Sequence, residues 1–422
     1  MECKEYEKYV SILKAELVPA MGCTEPIAVA FAAAKAREVL GKMPDKVSVE
    51  VSGNIVKNAK SVVVPNTGGR RGLEAAVGIG IIAGDASKQL QVISEVSEEQ
   101  MDRLGAFLEE PGVSVGIAES NLSIDVRVHL AAGSDNVNLR LAEDHNKIVY
   151  IEKNGDILFE CPVSEGTEQS CLLDMSIDGI FEFSNICDIS DVYEVISRQI
   201  EYNSAISDEG LKNNWGANIG STILKYSNGS LPEVMGKAKA AAGSDARMGG
   251  CEMPVVINSG SGNQGLTVSL PVIEYAKYLR CSEEKLFRSL VFANLAGIHI
   301  KASVGRLSAY CGAISAGCAA VAGIAYMSGA DLNQISHLIV NCLATTSGIV
   351  CDGAKPSCAA KIATALDAAI LAWNMTKNDQ QFLDGDGFVK KGVENTINAV
   401  SRIAKDGMAE TDKTILKIMT DL

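Results

Sequence analysis

Aromatic residues are scarce in this 422-residue chain, only 5% of it, and there are just four histidines. A core built with so few large rings must be filled by smaller side chains. The 39 glycines and the abundant alanine therefore point to helices packed at close backbone distance. Positive charge is also short: Lys and Arg total 38 against 52 Asp and Glu, a net charge of −14. Such a surface lacks the cations that phosphates need opposite them, so no nucleic-acid and no membrane partner is expected. The opening MECKEYEKYV is charged and has no apolar segment of the secretory kind. A cytoplasmic, reducing location follows as the expectation, and with it no disulfide framework. Several ligand signatures are missing too. There is no G-x-x-x-x-G-K-[ST] phosphate loop, no glycine fingerprint in a βαβ setting, no compact C-x2-C pair and no internal repeat. One uncharged stretch, between Arg306 and Asp331, is long enough to cross a bilayer. It is mostly Ala, Gly and Ser, however, and reads as a loop plus a buried helix.

What is present suffices for a core: 47% of residues are hydrophobic and 21% charged. At roughly 150 residues per domain, about two or three domains are expected. A helix is bracketed by Thr24-Glu25-Pro26 and Gly41. VSVEVSGNIV alternates like a half-buried strand, and residues 60–72 read as a strand followed by a glycine turn. LEAAVGIGIIAG reads as a helix. From about 113 to 160, β-like runs alternate with turn residues, which predicts an antiparallel meander with a hairpin at Lys153-Asn154-Gly155-Asp156. After about 190 strand signals almost vanish. The expected fold class is an α+β N-terminal domain with an antiparallel sheet over 1–190, followed by an all-α helical domain over 191–422.

Four glycine-bearing polar turns each feed a helix start: Met21 to Thr24, Asn66 to Gly72, Asn258 to Gly265, and Cys351 to Cys358. Free N–H groups and the positive end of the helix dipole suit such places to anions, although capping alone also explains their composition. In the third, Ser259, Gly260, Ser261, Gly262 and Asn263 combine an open backbone with polar side chains and read as a cradle for a small carboxylate. Asn66 and Thr67 are weaker candidates at the second. Twelve cysteines stand at 3, 23, 161, 171, 187, 251, 281, 311, 318, 342, 351 and 358. Most are expected to be small buried hydrophobes. Cys351 and Cys358 flank a loop with Gly353 and Pro356, so both thiols can turn to one point, with Ser357 capping a helix that begins at Cys358. Cys318, seven residues after Cys311, is read as core. By spacing alone this is a weak metal signal.

Across nearly its whole length the chain resembles the L-cysteine desulfidase family, which is similar to the alpha chain of bacterial iron–sulfur L-serine dehydratases. The likeness is carried by VPAMGCTEPIAVAFAAA, SGNIVKNAKSVVVPNTGGRRG, GSDARMGG, SGSGNQGLTVSLPV, HIKASVGRLSAYCGAISAGCAAVAG and SGIVCDGAKPSCAAK. It implies a [4Fe–4S] cluster held by Cys311, Cys351 and Cys358, an open fourth iron, and β-elimination from a small amino acid. L-Cysteine would give pyruvate, ammonia and sulfide; the alternatives are L-serine dehydration by the same route, or a non-catalytic iron–sulfur sensor. The family's N-terminal cysteine falls on Cys23, whose place before a helix is expected to lower its pKa and suit it as the base. It could instead be the fourth cluster ligand, a proton relay or inert. Serine dehydratases carry a Ser/His-rich motif where this chain has Gly22-Cys23-Thr24-Glu25.

Among the other polar residues, His129, His145 and His337 read as structural and His299 as a satisfied core histidine. Asp245 and Arg247 are expected to form a local ion pair. A rival enzyme class is a pyridoxal-phosphate lyase with Lys301 as the aldimine lysine. The expected partner is a small amino-acid substrate, and the chain leaves room for an oligomer.

Overall fold

The computed structural model describes residues 1–109, 113–120, 122–163, 172, 174–305 and 308–420. The N-terminal part opens with helix α1 (Cys3–Glu16), short strand β1 (Pro19–Met21) and helix α2 (Thr24–Leu40). Strand β2 (Lys46–Val51) and helices α3 (Gly53–Ala59), α4 (Gly72–Ala83) and α5 (Glu98–Glu109) follow. Then come strands β3 (Val113–Ile117), β4 (Asp125–Ala132), β5 (Asp135–Ala142), β6 (Ile148–Lys153) and β7 (Asp156–Glu160).

The sheet order is β3-β2-β4-β5-β6-β7. The expected meander is there from β4 to β7, joined at its last turn by Asn154 and Gly155, both at positive φ, as a tight hairpin requires. The sheet is nevertheless mixed, because β3 crosses to the far edge and pairs with β2 in parallel. Two further readings are corrected. VSVEVSGNIV is a strand only to Val51, after which Gly53 starts α3. Residues 60–72 make no strand, only an isolated bridge between Val63 and Arg71.

Alternation fixes which face of the sheet is covered. Val47, Val49 and Val51 of β2, Val126, Val128 and Leu130 of β4, and Val137, Leu139 and Leu141 of β5 all point inward. Those of β4 and β5 pack on α2, whose alanines are buried almost all round. The small residues matter here. A Cβ on Gly80 of α4 would lie 2.3 Å from the carbonyl oxygen of Ala30, so α2 and α4 touch backbone to backbone.

The helical part comprises α6 (Ile177–Ile186), α7 (Tyr193–Lys212), α8 (Ile219–Tyr226), α9 (Pro232–Met248), α10 (Gly262–Leu279), α11 (Glu283–Val304), α12 (Gly312–Met327), α13 (Leu332–Thr346), α14 (Ser357–Lys377), α15 (Val393–Arg402) and α16 (Ala409–Thr420). The uncharged stretch is indeed a loop and then α12, buried among α10, α11, α13 and α14. Among the described residues no helix is long and apolar enough to cross a membrane. One short strand, β8 (Pro254–Val256), pairs antiparallel with β1, and this two-stranded ribbon brings the start of α2 to the start of α10.

Candidate active site

Four helices begin around one cavity of about 90 Å³. Cys23 is the N-cap of α2, Ser261 of α10 and Cys311 of α12, while Cys358 stands in the first turn of α14. None of the four helices has a side-chain cap at its N-terminus. Their leading amides, and the positive ends of four dipoles, are thus directed at a single space. Thr24, expected as a cap, lies inside α2 and donates to the carbonyl of Gly260 at 3.0 Å, tying two of the helix starts together. Ser357 does not cap α14 either; the helix starts at Ser357, after Pro356.

Cys311, Cys351 and Cys358 all line the cavity, and so does Cys23. Backbone pairing explains how the first two meet. An isolated bridge joins Tyr310 to Val350; Cys311 donates its N–H to Ile349 at 3.2 Å and Cys351 donates to Ala309 at 2.6 Å. The chain then turns through Gly353, at φ +91°, to bring Cys358 back. Burial, followed by the neighbouring Cys351 thiol, pushes the Cys311 thiol up to about 12. Burial also raises Cys358. Around them, Lys301 is 3% exposed, and burial lowers its ammonium to about 8 despite the two thiols beside it. Asp352 is neutralised by Lys355 and Lys361. Cys318, by contrast, is fully buried in α12, as its spacing implied.

The donor set suits iron and sulfide: thiols supplied by two loops and a helix start, in a space walled by cations and helix N-termini. Among the described residues no three Cys, His, Asp or Glu converge on a single metal ion. A cubane cluster takes one thiolate per iron and does not need that convergence.

Cys23 is 2% exposed, and its thiol donates to Glu25 Oε2 at 2.9 Å. The expected low pKa is overturned. Burial first, and the Glu25 carboxylate second, hold this thiol well above its ordinary value, with Arg247 opposing them. The helix start alone would favour a thiolate, but it is outweighed. His145, read as structural, lies with its ring 4.0 Å from Glu25 on the same cavity. Glu25 and His145 were hidden in the sequence by a capping motif and a turn, and only three-dimensional proximity reveals them.

Ser259, Gly260, Ser261 and Asn263 form one wall. Ser259 is held at φ +51° by its hydroxyl, which donates to Asn258 Oδ1 at 2.9 Å. Asn258 in turn donates to Asn294, which exchanges hydrogen bonds with Gln199. This connected, buried amide chain makes the turn rigid. Gly262 lies behind the wall, where any Cβ would strike the Arg247 guanidinium. Asn66 and Thr67 are not at the cavity. Asn66 donates to Ile93 O at 2.7 Å, tying its turn to the segment after α4, and Thr67 donates to Val64 O at 2.7 Å within the turn. The expected Asp245–Arg247 pair does not form: Asp245 turns to the backbone N–H groups of Ala217 and Gly220. His299 pairs with Glu394 at 2.8 Å and His129 with Asn138 at 2.7 Å, both as structural residues.

The family described as serine dehydratase alpha chain matches residues 87–417. A UPF0597 protein of Desulfitobacterium hafniense is 54% identical, covering 98% of this chain and 96% of its own length. UPF0597 proteins of Lachnoclostridium phytofermentans and Treponema denticola are 50% and 44% identical, the first over 98% of this chain and 99% of its own, the second over 99% of each.

Proposed function

The chain belongs to the serine dehydratase alpha chain family, and from that premise we propose that it is an iron–sulfur-dependent β-eliminating lyase converting L-cysteine to pyruvate, ammonia and sulfide. The observation that carries this reading is the meeting of Cys311, Cys351 and Cys358 with Cys23 on one cavity. Cys311, Cys351 and Cys358 would hold a [4Fe–4S] cluster, which supplies a Lewis-acidic iron free of protein ligands to stabilise the departing sulfur.

The chain's own groups do the rest. The rigid turn of Ser259, Ser261 and Asn263 grips the backbone end of the amino acid, assisted by the amides that open α10. Cys23 is the base for the α-proton. Its own proton passes first to Glu25, the carboxylate its thiol already donates to. Burial of the four helix starts keeps bulk water from the exchange. Elimination leaves aminoacrylate, which tautomerises to an imine and is hydrolysed to pyruvate and ammonia.

L-Serine dehydration is the second reading, favoured by the family match itself. The test is one anaerobic sample assayed for iron, acid-labile sulfide, sulfide and pyruvate from L-cysteine, and pyruvate from L-serine. Cluster content with sulfide release supports the first reading, and pyruvate from L-serine alone supports the second. A sample without iron and sulfide, trapped instead by borohydride, would point to an aldimine on Lys301. Replacing Cys351 with Ser should abolish both cluster and turnover. Cys23→Ala should retain most of the iron while losing turnover by roughly 100-fold or more, as removal of a general base does; loss of the iron as well would identify Cys23 as a ligand.

A further inference from the structure

Arg247 ends α9 against the cavity and is only 2% exposed. Its guanidinium lies against the start of α10, where a Cβ at Gly262 would approach its Nε to 2.4 Å. Among the described residues no acceptor hydrogen-bonds the guanidinium and no carboxylate pairs with it; Nε in particular is buried without a partner. The nearby carboxylates are engaged elsewhere. Asp245 accepts from the amides of Ala217 and Gly220, and Glu25 accepts from Cys23. A buried guanidinium with no hydrogen-bond acceptor is unfavourable, so the cavity is set to take an acceptor anion from what enters it. The other cation that lines the cavity, Lys301, sits instead beside Cys311 and Cys351. Asn263 Oδ1, on the same cavity, is also buried with no donor.

Resting on the lyase reading, we propose that Arg247 is the specificity residue that binds the substrate's α-carboxylate, while Asn263 Oδ1 accepts from its α-ammonium. A guanidinium presents two parallel N–H groups, which match the two oxygens of a carboxylate. Two contacts to the α-carbon's polar groups would fix how the amino acid sits in the cavity. Amines, amides and esters lacking the free carboxylate would be rejected.

The test uses cluster-loaded protein and calorimetric binding of L-alanine, an α-amino acid with nothing to eliminate, against L-alaninamide, which lacks the carboxylate. Wild-type protein should bind L-alanine roughly 100-fold more tightly than the amide, the scale of a desolvated charge pair. Arg247→Met should bind both equally weakly with iron and sulfide content unchanged, and Arg247→Lys should fall between. The inference is overturned if wild-type protein binds no L-alanine, if it fails to distinguish acid from amide, or if Arg247→Met binds L-alanine as wild type does. Should Arg247→Met not fold, the wild-type comparison and Arg247→Lys decide. The lyase reading fails separately: protein that binds L-alanine through Arg247 yet releases neither sulfide nor pyruvate sinks that reading and leaves this one standing.

Discussion

Asp245 illustrates how a single carboxyl is governed by what surrounds it. Burial raises its pKa to about 6, and the amides of Gly220, Ala217 and Ile219 only partly offset this. The folded chain therefore holds this proton more tightly than the unfolded chain does. Its contribution to stability is fully present below the unfolded value of 3.8 and is lost as pH rises through about 6. Asp245→Asn keeps an acceptor for only one of the two amides, a loss that does not vary with pH, and removes the titration. The stability difference between variant and wild type should therefore change between pH 4 and pH 7, by about 3 kcal/mol at most, in the variant's favour at the higher pH. Denaturant unfolding at the two pH values checks it, and an unchanged difference would refute it. At this scale the sequence was legible where a residue's partners are local. Cys318 and His129 needed only their positions on a helix and a strand. It was illegible where the surroundings are remote: Cys23 was expected to be acidified by its helix, and instead burial, with Glu25 second, raises it.

At the scale of elements, the loop between Cys351 and Cys358 depends on Gly353. Its φ is +91°, and a Cβ there would lie 2.0 Å from the carbonyl oxygen of Lys57 in α3. Gly353→Ala should destabilise the protein by more than about 1 kcal/mol and reduce the iron it retains. Gly348→Ala, which meets nothing within 4 Å, should be silent in both measurements. Equal behaviour of the two variants would remove the claim that this turn sets the cysteine spacing. The helices themselves were readable, because period, cap and breaker residues act within a few turns. Gly41 ends α2 in the left-handed conformation its sequence implied. The parallel pairing of β3 with β2 was not readable, since a strand's periodicity is the same whichever neighbour it takes and in whichever direction.

At the scale of the whole molecule, distant segments are fastened to the cavity by a few buried contacts. Lys57 of α3 is 1% exposed and pairs with Asp412 of α16, and its ammonium also lies 3.4 Å from Ser308 O, beside the Cys311 loop. Asp412→Ala strands that ammonium in the interior and should lower stability by about 3 kcal/mol, read as a shift of the denaturation midpoint. Adding Lys57→Met should recover much of the loss, because the isolated charge is then gone. A single variant as stable as wild type would show that the pair carries no weight.

Local chemistry was enough to read most of the helices, the meander from β4 to β7 and the polar glycine turn at 258–265. These follow from backbone sterics, side-chain period and residue type, all expressed over a few neighbouring residues. Only the tertiary structure decided that four helix starts share one cavity, that Asn66 and Thr67 stay outside it, and that Arg247 faces inward without Asp245. Burial and the distance between charges set those outcomes, and both depend on segments hundreds of residues apart along the chain.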